Sequence, residues 1–144
     1  MPRGARRKQE TSRAEDYLET LYHLLEEKGY ANTVDLSNKL QVKPPTVTSM
    51  VGKLKSRGYL LHEPYRGMML TESGEKVARS VIRRHEIISE FLSMIGVEGD
   101  VAYEDTEGIE HHVQSSTIYR IERLVEYLRM HPDHLAEIKK YVSK

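Results

Sequence analysis

The sequence predicts a mainly α fold with a small β wing, in which an N-terminal winged helix-turn-helix domain is followed by an all-helical domain. Three observations predict it. Apolar residues recur at helical spacing along most of the 144 residues. Two short helical stretches, from Thr33 and from Pro44, are separated only by the turn Gln41-Val42-Lys43. A strand, a turn at Glu63-Pro64-Tyr65-Arg66-Gly67 and a return strand follow directly. The expected domains are 1–71, with 1–12 a flexible basic arm, and 72–144.

Each element has a local reason. The arm carries Arg3, Arg6, Arg7 and Lys8, so it is expected to be mobile and able to touch phosphate. A helix from Arg13 to Lys28 places Leu18, Leu21, Tyr22 and Leu25 on one face, with Ser12 and Glu15 as a capping box and Gly29 as its stop. Thr33 is the expected cap of a short helix carrying Val34, Leu36 and Leu40. Pro44 and Pro45 suit the first turn of the next helix, which points Val47, Met50, Val51 and Leu54 inward. That leaves Thr46, Thr48, Ser49, Lys53 and Lys55 outward. Tyr59 to His62 and Met68 to Leu70 read as the wing strands. A long helix from Thr71 to about Ile95 has a stripe of Val77, Val81, Ile82, Ile88, Phe91, Leu92 and Ile95, interrupted by His85. Val97 to Tyr103 is expected to be a connector, and Glu104 or Asp105 to open an acidic helix that Ser115 and Ser116 break. Helices from Thr117 to Met130 and from Pro132 complete the chain. The apolar surface after Thr71 exceeds what one layer buries, which favours a twofold homodimer.

Net charge is zero, with 22 basic and 22 acidic residues, but the charges are segregated. Leu36 to His62 holds Lys39, Lys43, Lys53, Lys55 and Arg57 with no acid. Glu98 to Glu110 holds six acids with no Lys or Arg. The first stretch suits a polyanion and the second suits cations. A helix-turn-helix with this charge predicts binding to double-stranded DNA, with Lys43, Thr46, Thr48, Ser49, Lys53, Lys55, Tyr65 and Arg66 as the contact set. A helix–hairpin unit that binds protein is the plainer alternative. The absence of Cys excludes disulfides, thiolate metal sites and thiol catalysis. No apolar run reaches membrane length, so a soluble cytoplasmic protein without a membrane partner is expected.

Within the acidic stretch, Glu107, Glu110 and His111 stand at i, i+3 and i+4 on one helical face. Two carboxylates and an imidazole are fitting ligands for a divalent metal, and Asp16, Glu19 and His85 are the candidates to complete the shell. Each has a plainer explanation: a solvated acidic face, acids favoured near a helix N-terminus, and a hydrogen-bonded core histidine. A regulator that senses an organic ligand and a di-metal hydrolase are the rival functions. The sequence offers no separate nucleophile or phosphate-binding loop, which points away from an enzyme.

Pro44-Pro45-Thr46-Val47-Thr48, Tyr65-Arg66-Gly67, Arg84-His85-Glu86 and Glu107-Gly108-Ile109-Glu110-His111-His112 together resemble the manganese transport regulator branch of the diphtheria toxin repressor superfamily. The resemblance covers about Glu15 to the C-terminus. It implies a homodimeric repressor of manganese uptake genes, with Mn²⁺ as co-repressor and a palindromic operator. It also implies a helical metal-binding and dimerisation domain. The family's binuclear cluster maps onto Asp16, Glu19, His85, Glu107, Glu110 and His111, and can also accept Cd, Co, Fe or Zn. Iron-responsive relatives carry Met at the position of Asp16 and Cys at that of Glu107; the harder oxygen ligands suit Mn²⁺. Pro45, Ser49 and Gly52 depart from the family's pattern, which leaves the operator sequence open.

Overall fold

The computed structural model describes residues 3–144, with the side chains of 3 and 5–9 outside the description. The chain divides into two compact units, Met1–Val81 and Ile82–Lys144.

The first unit contains α1 (Arg3–Lys28), α2 (Thr33–Leu40), α3 (Pro44–Ser56), β1 (Leu60–Glu63), β2 (Gly67–Leu70) and the first turns of α4 (Glu72–Met94). Helix α1 begins at Arg3, so the expected flexible arm is helical over 3–12, and Ser12 and Glu15 lie inside the helix rather than at a cap. The reason is propensity: Ala5 to Glu10 are good helix formers, opposed only by Gly4. Whether Arg3, Arg6, Arg7 and Lys8 reach phosphate lies outside the described side chains. Asn32, one residue before the expected Thr33, caps α2 in a reciprocal box. Its Oδ1 accepts from Asp35 N–H at 2.9 Å, and its own N–H donates to Asp35 Oδ2 at 3.2 Å.

Leu18, Leu21 and Leu24 of α1, Leu36 of α2, and Val47, Val51 and Leu54 of α3 form one core with Met68 and Ala78. Each large member contributes about 1.5–3 kcal/mol by leaving water. This packing sets the outward face of α3. The wing strands pair antiparallel, Leu60 opposite Leu70 and Glu63 opposite Gly67. Gly67 has φ +75, and a Cβ there would sit 2.7 Å from the Ala31 carbonyl oxygen. That carbonyl accepts from Met68 N–H at 3.2 Å and ties the wing to the segment before α2.

The second unit holds the rest of α4, α5 (Gly99–Glu110), α6 (Ser115–Met130) and α7 (Pro132–Val142). Helix α5 starts at Gly99, several residues before the expected Glu104 or Asp105, because Val101 to Tyr103 continue the helix and Asp100 favours its first turn. Ser115 starts α6 instead of breaking a helix. His131 lies at the α6–α7 joint, its Nδ1 2.8 Å from the Tyr127 carbonyl oxygen. Ile87, Ile88, Leu92 and Ile118 form one apolar cluster, and Met94, Val125 and Leu128 another. Arg83 pairs with Glu122, and Glu90 with Arg129, both across 39 positions. Two contacts at one offset mean that α4 and α6 run parallel. Val101, Tyr103, Tyr119, Met130 and Tyr141 remain exposed. Among the described residues no helix is long and apolar enough to cross a membrane.

Candidate metal centre

The acidic helix α5 carries Glu107 and Glu110, and His111 follows as its C-cap with near-helical angles, φ −87 and ψ −9. The i, i+3, i+4 face is therefore kept through the last turn. Thr106 is buried beside it and donates its hydroxyl to the Ala102 carbonyl at 2.7 Å, so it is satisfied within α5.

Glu110 is the centre of the arrangement. It is 1% exposed. Its Oε2 lies 2.8 Å from His85 Nδ1 on α4, and its Oε1 lies 3.2 Å from His111 Nε2. Glu107 Oε1 lies 3.3 Å from the same His85 nitrogen. One ligand atom from each of Glu107, Glu110 and His111 falls within 4.8 Å of the others. A carboxylate taken out of water requires positive charge or donors close by. Glu110 Oε1 receives no hydrogen bond, although an imidazole nitrogen is next to it. A carboxylate oxygen and an imidazole nitrogen 3.2 Å apart suit a cation that both can ligate. The donors are carboxylate oxygen and imidazole nitrogen with no thiolate, and this set fits a hard-to-borderline divalent metal.

His85 does not behave as a core histidine. Its side chain is 30% exposed and faces carboxylates. The apolar stripe continues on either side of it through Val81 and Ile88, both buried.

Asp16 and Glu19 belong to the first unit, one turn apart on α1 and both partly buried. Glu19 Oε1 lies 3.8 Å from His23 Nε2. Asp16 lines a cavity of about 610 Å³ with Arg13, Tyr17, Thr46, Ser49 and Lys53. Burial pushes the Tyr17 phenol up from its ordinary value, so it stays neutral.

The predicted DNA-contact residues Lys43, Thr46, Thr48, Ser49, Lys53 and Lys55 are all exposed on α3 or its N-cap. Thr48 Oγ1 donates to the Pro44 carbonyl at 3.1 Å, which occupies its proton within the helix. Tyr65 and Arg66 lie at the wing tip; Tyr65 is fully exposed with φ +71, a left-handed geometry uncommon for a tyrosine. Arg66 Nη1 lies 3.6 Å from Glu63 Oε2. Sequence reasoning left Arg57 and Glu10 out of this face. Arg57 was legible in the basic stretch from Leu36 to His62, whereas Glu10 fell in a segment expected to be a flexible arm.

Residues 10–68 match the family described as iron dependent repressor, N-terminal DNA binding domain, and residues 71–139 match iron dependent repressor, metal binding and dimerisation domain. The chain is 45% identical over 133 residues to the HTH-type transcriptional regulator MntR of Shouchella clausii, covering 90% of this chain and 93% of that one. It is 42% identical over 134 residues to the regulator of the same name from Bacillus subtilis, covering 93% and 94%. Among solved structures it resembles the manganese regulator SloR, with a TM-score of 0.72 and 30% identity over 79% of this chain. The chain spans 54% of the length of that structure. ScaR with bound Zn²⁺ is similar at a TM-score of 0.71 and 32% identity.

Proposed function

The chain belongs to the iron dependent repressor family, and from its similarity to regulators named MntR and to the manganese regulator SloR we propose a manganese-responsive, DNA-binding transcriptional repressor in which Mn²⁺ is the co-repressor. It is a regulator and not an enzyme. The observation that carries the metal reading is the burial of Glu110 with one oxygen beside His85 and the other beside His111. Glu107 adds a second carboxylate to the same nitrogen of His85.

The ligand set is Asp16, Glu19, His85, Glu107, Glu110 and His111, and it holds a binuclear manganese site. When bound, the metal supplies positive charge that joins carboxylates otherwise repelling one another. Within the second unit, α5 presents three ligands on one face and α4 presents His85 to them. Within the first unit, α1 contributes Asp16 and Glu19. A metal that binds the DNA-competent arrangement better raises DNA affinity, and DNA raises metal affinity by the same factor.

The protein acts as a homodimer on a palindromic operator, in the cytoplasm, and controls manganese uptake genes. The exposed Val101, Tyr103, Tyr119, Met130 and Tyr141 of the second unit support self-association. Thr46, Thr48 and Ser49 lie closest to base edges, while Lys43, Lys53, Lys55 and Arg66 take phosphates and Tyr65 extends from the wing. The test is DNA binding by the full chain titrated with Mn²⁺, Fe²⁺, Co²⁺, Zn²⁺ and Cd²⁺. Saturable Mn²⁺ binding that raises DNA affinity is expected. No saturable Mn²⁺ binding would return the chain to regulators that sense an organic ligand.

A further inference from the structure

Glu10 is the one acid of residues 1–12, whose other charged side chains are Arg3, Arg6, Arg7 and Lys8, and it touches the α3 face. Its Oε1 lies 3.4 Å from Lys53 Nζ and 3.2 Å from Arg57 Nη2. One carboxylate oxygen thus bridges two cations a turn apart, one on α3 and one at its C-cap, the geometry a phosphate oxygen takes between two basic side chains. The placement follows from α1. Ala14, Leu18 and Leu21 come four, eight and eleven residues after Glu10, and they pack into the same core as Val51 and Leu54 of α3. The continuation of α1 to Arg3 therefore carries Glu10 along the stripe that faces α3. The Lys53 ammonium, through its hydrogen bond and its charge, then that of Arg57, hold the Glu10 carboxyl below its ordinary range, so it is ionised at neutral pH.

We propose that Glu10 stands in for a DNA phosphate on the α3 face, masking Lys53 and Arg57 so that DNA must displace it to bind. This rests on the reading of α3 as the DNA-binding face. The contact is suited to exchange. All three side chains are between about two-fifths and one-half exposed, with values of 39, 51 and 46%. Solvent-exposed pairs of this kind are weak, so the mask lowers affinity without abolishing it. Its effect is independent of sequence, because phosphate contacts position the protein and do not read bases.

The test uses the full chain with Mn²⁺ and a short mixed-sequence DNA duplex, with Kd followed over a salt series for the wild type, Glu10→Gln, the double variant Lys53→Ala/Arg57→Ala, and the triple variant. Glu10→Gln is expected to bind about two- to fivefold tighter at low salt. Its salt dependence should steepen by about one unit of slope. The double variant should bind more weakly than the wild type, and adding Glu10→Gln to it should change nothing. If the double variant binds as the wild type does, the α3 phosphate face itself is wrong. If the double variant is weakened but Glu10→Gln binds no tighter than the wild type, the mask is overturned while the DNA face stands. An equal gain from Glu10→Gln in both backgrounds also overturns it, since the effect would then be general charge and not this contact.

Discussion

His85 Nδ1 lies 2.8 Å from Glu110 Oε2, which joins the one polar interruption of the α4 stripe to the buried carboxylate of α5. If His85 were a core residue, His85→Ala would lower stability by a few kcal/mol, as large-to-small core changes do, and harm every property together. The ligand role separates the effects. His85→Ala is expected to remain folded and dimeric and to keep weak nonspecific DNA binding, while Mn²⁺ no longer raises DNA affinity. Sedimentation, together with DNA titrations with and without Mn²⁺, checks this. An unfolded variant would restore the core role, and a full response to Mn²⁺ would remove His85 from the site.

Asp16→Met replaces a hard carboxylate oxygen with a soft thioether. The expected outcome is weaker activation by Mn²⁺ and relatively better activation by Fe²⁺ or Co²⁺. The measurement is DNA affinity across a metal series for both proteins. An unchanged ranking of metals would mean that Asp16 does not set selectivity.

The Arg129 guanidinium, first through its hydrogen bond and then through its charge, holds the Glu90 carboxyl below its ordinary value of 4.5. A folded-state pKa below the unfolded one contributes stability above the unfolded value, and that stability is lost as pH falls through the folded value. The Tm of the wild type should therefore exceed that of Glu90→Gln at neutral pH. The gap should close on acidification below the ordinary carboxylate range. A gap that stays constant from neutral to strongly acid solution would show that the charge on Glu90 does not matter.

A Cβ on Gly74 would fall 1.9 Å from the Tyr59 carbonyl oxygen, a backbone atom that also accepts from Thr71 N–H at 3.1 Å. Gly74→Ala must push the first turn of α4 off the end of the α3–β1 connection. A loss of about 1–3 kcal/mol is expected from overpacking of this kind. Urea unfolding measures it, and an unchanged midpoint would mean that the contact yields freely.

Much of this was legible in the sequence because periodicity reports burial. Val47, Met50, Val51 and Leu54 are buried where spacing put them, and the lysines and hydroxyls of α3 are exposed. The Glu107, Glu110 and His111 face was legible for the same reason. Boundaries were less so, because a polar helix such as 3–12 or the start of α5 has no apolar stripe to announce it. The contact of Glu10 with α3 could not be read at all. It depends on 43 and 47 positions of intervening chain returning to one place, which no local pattern encodes.

The paired helices α4 and α6 face an ambiguity that their apolar residues cannot resolve. Ile118 and Val125, both buried, are seven residues apart, so a seven-residue slip of α6 would still offer β-branched apolar side chains to α4. The charges oppose it. Arg83 meets Glu122 and Glu90 meets Arg129, and the two pairs are also seven apart with their signs exchanged. Sliding α6 one way sets Arg83 against Arg129, and sliding it the other sets Glu90 against Glu122. The ion pairs thus act as a parity check on helix alignment: individually weak, they make the seven-residue slip a repulsive one.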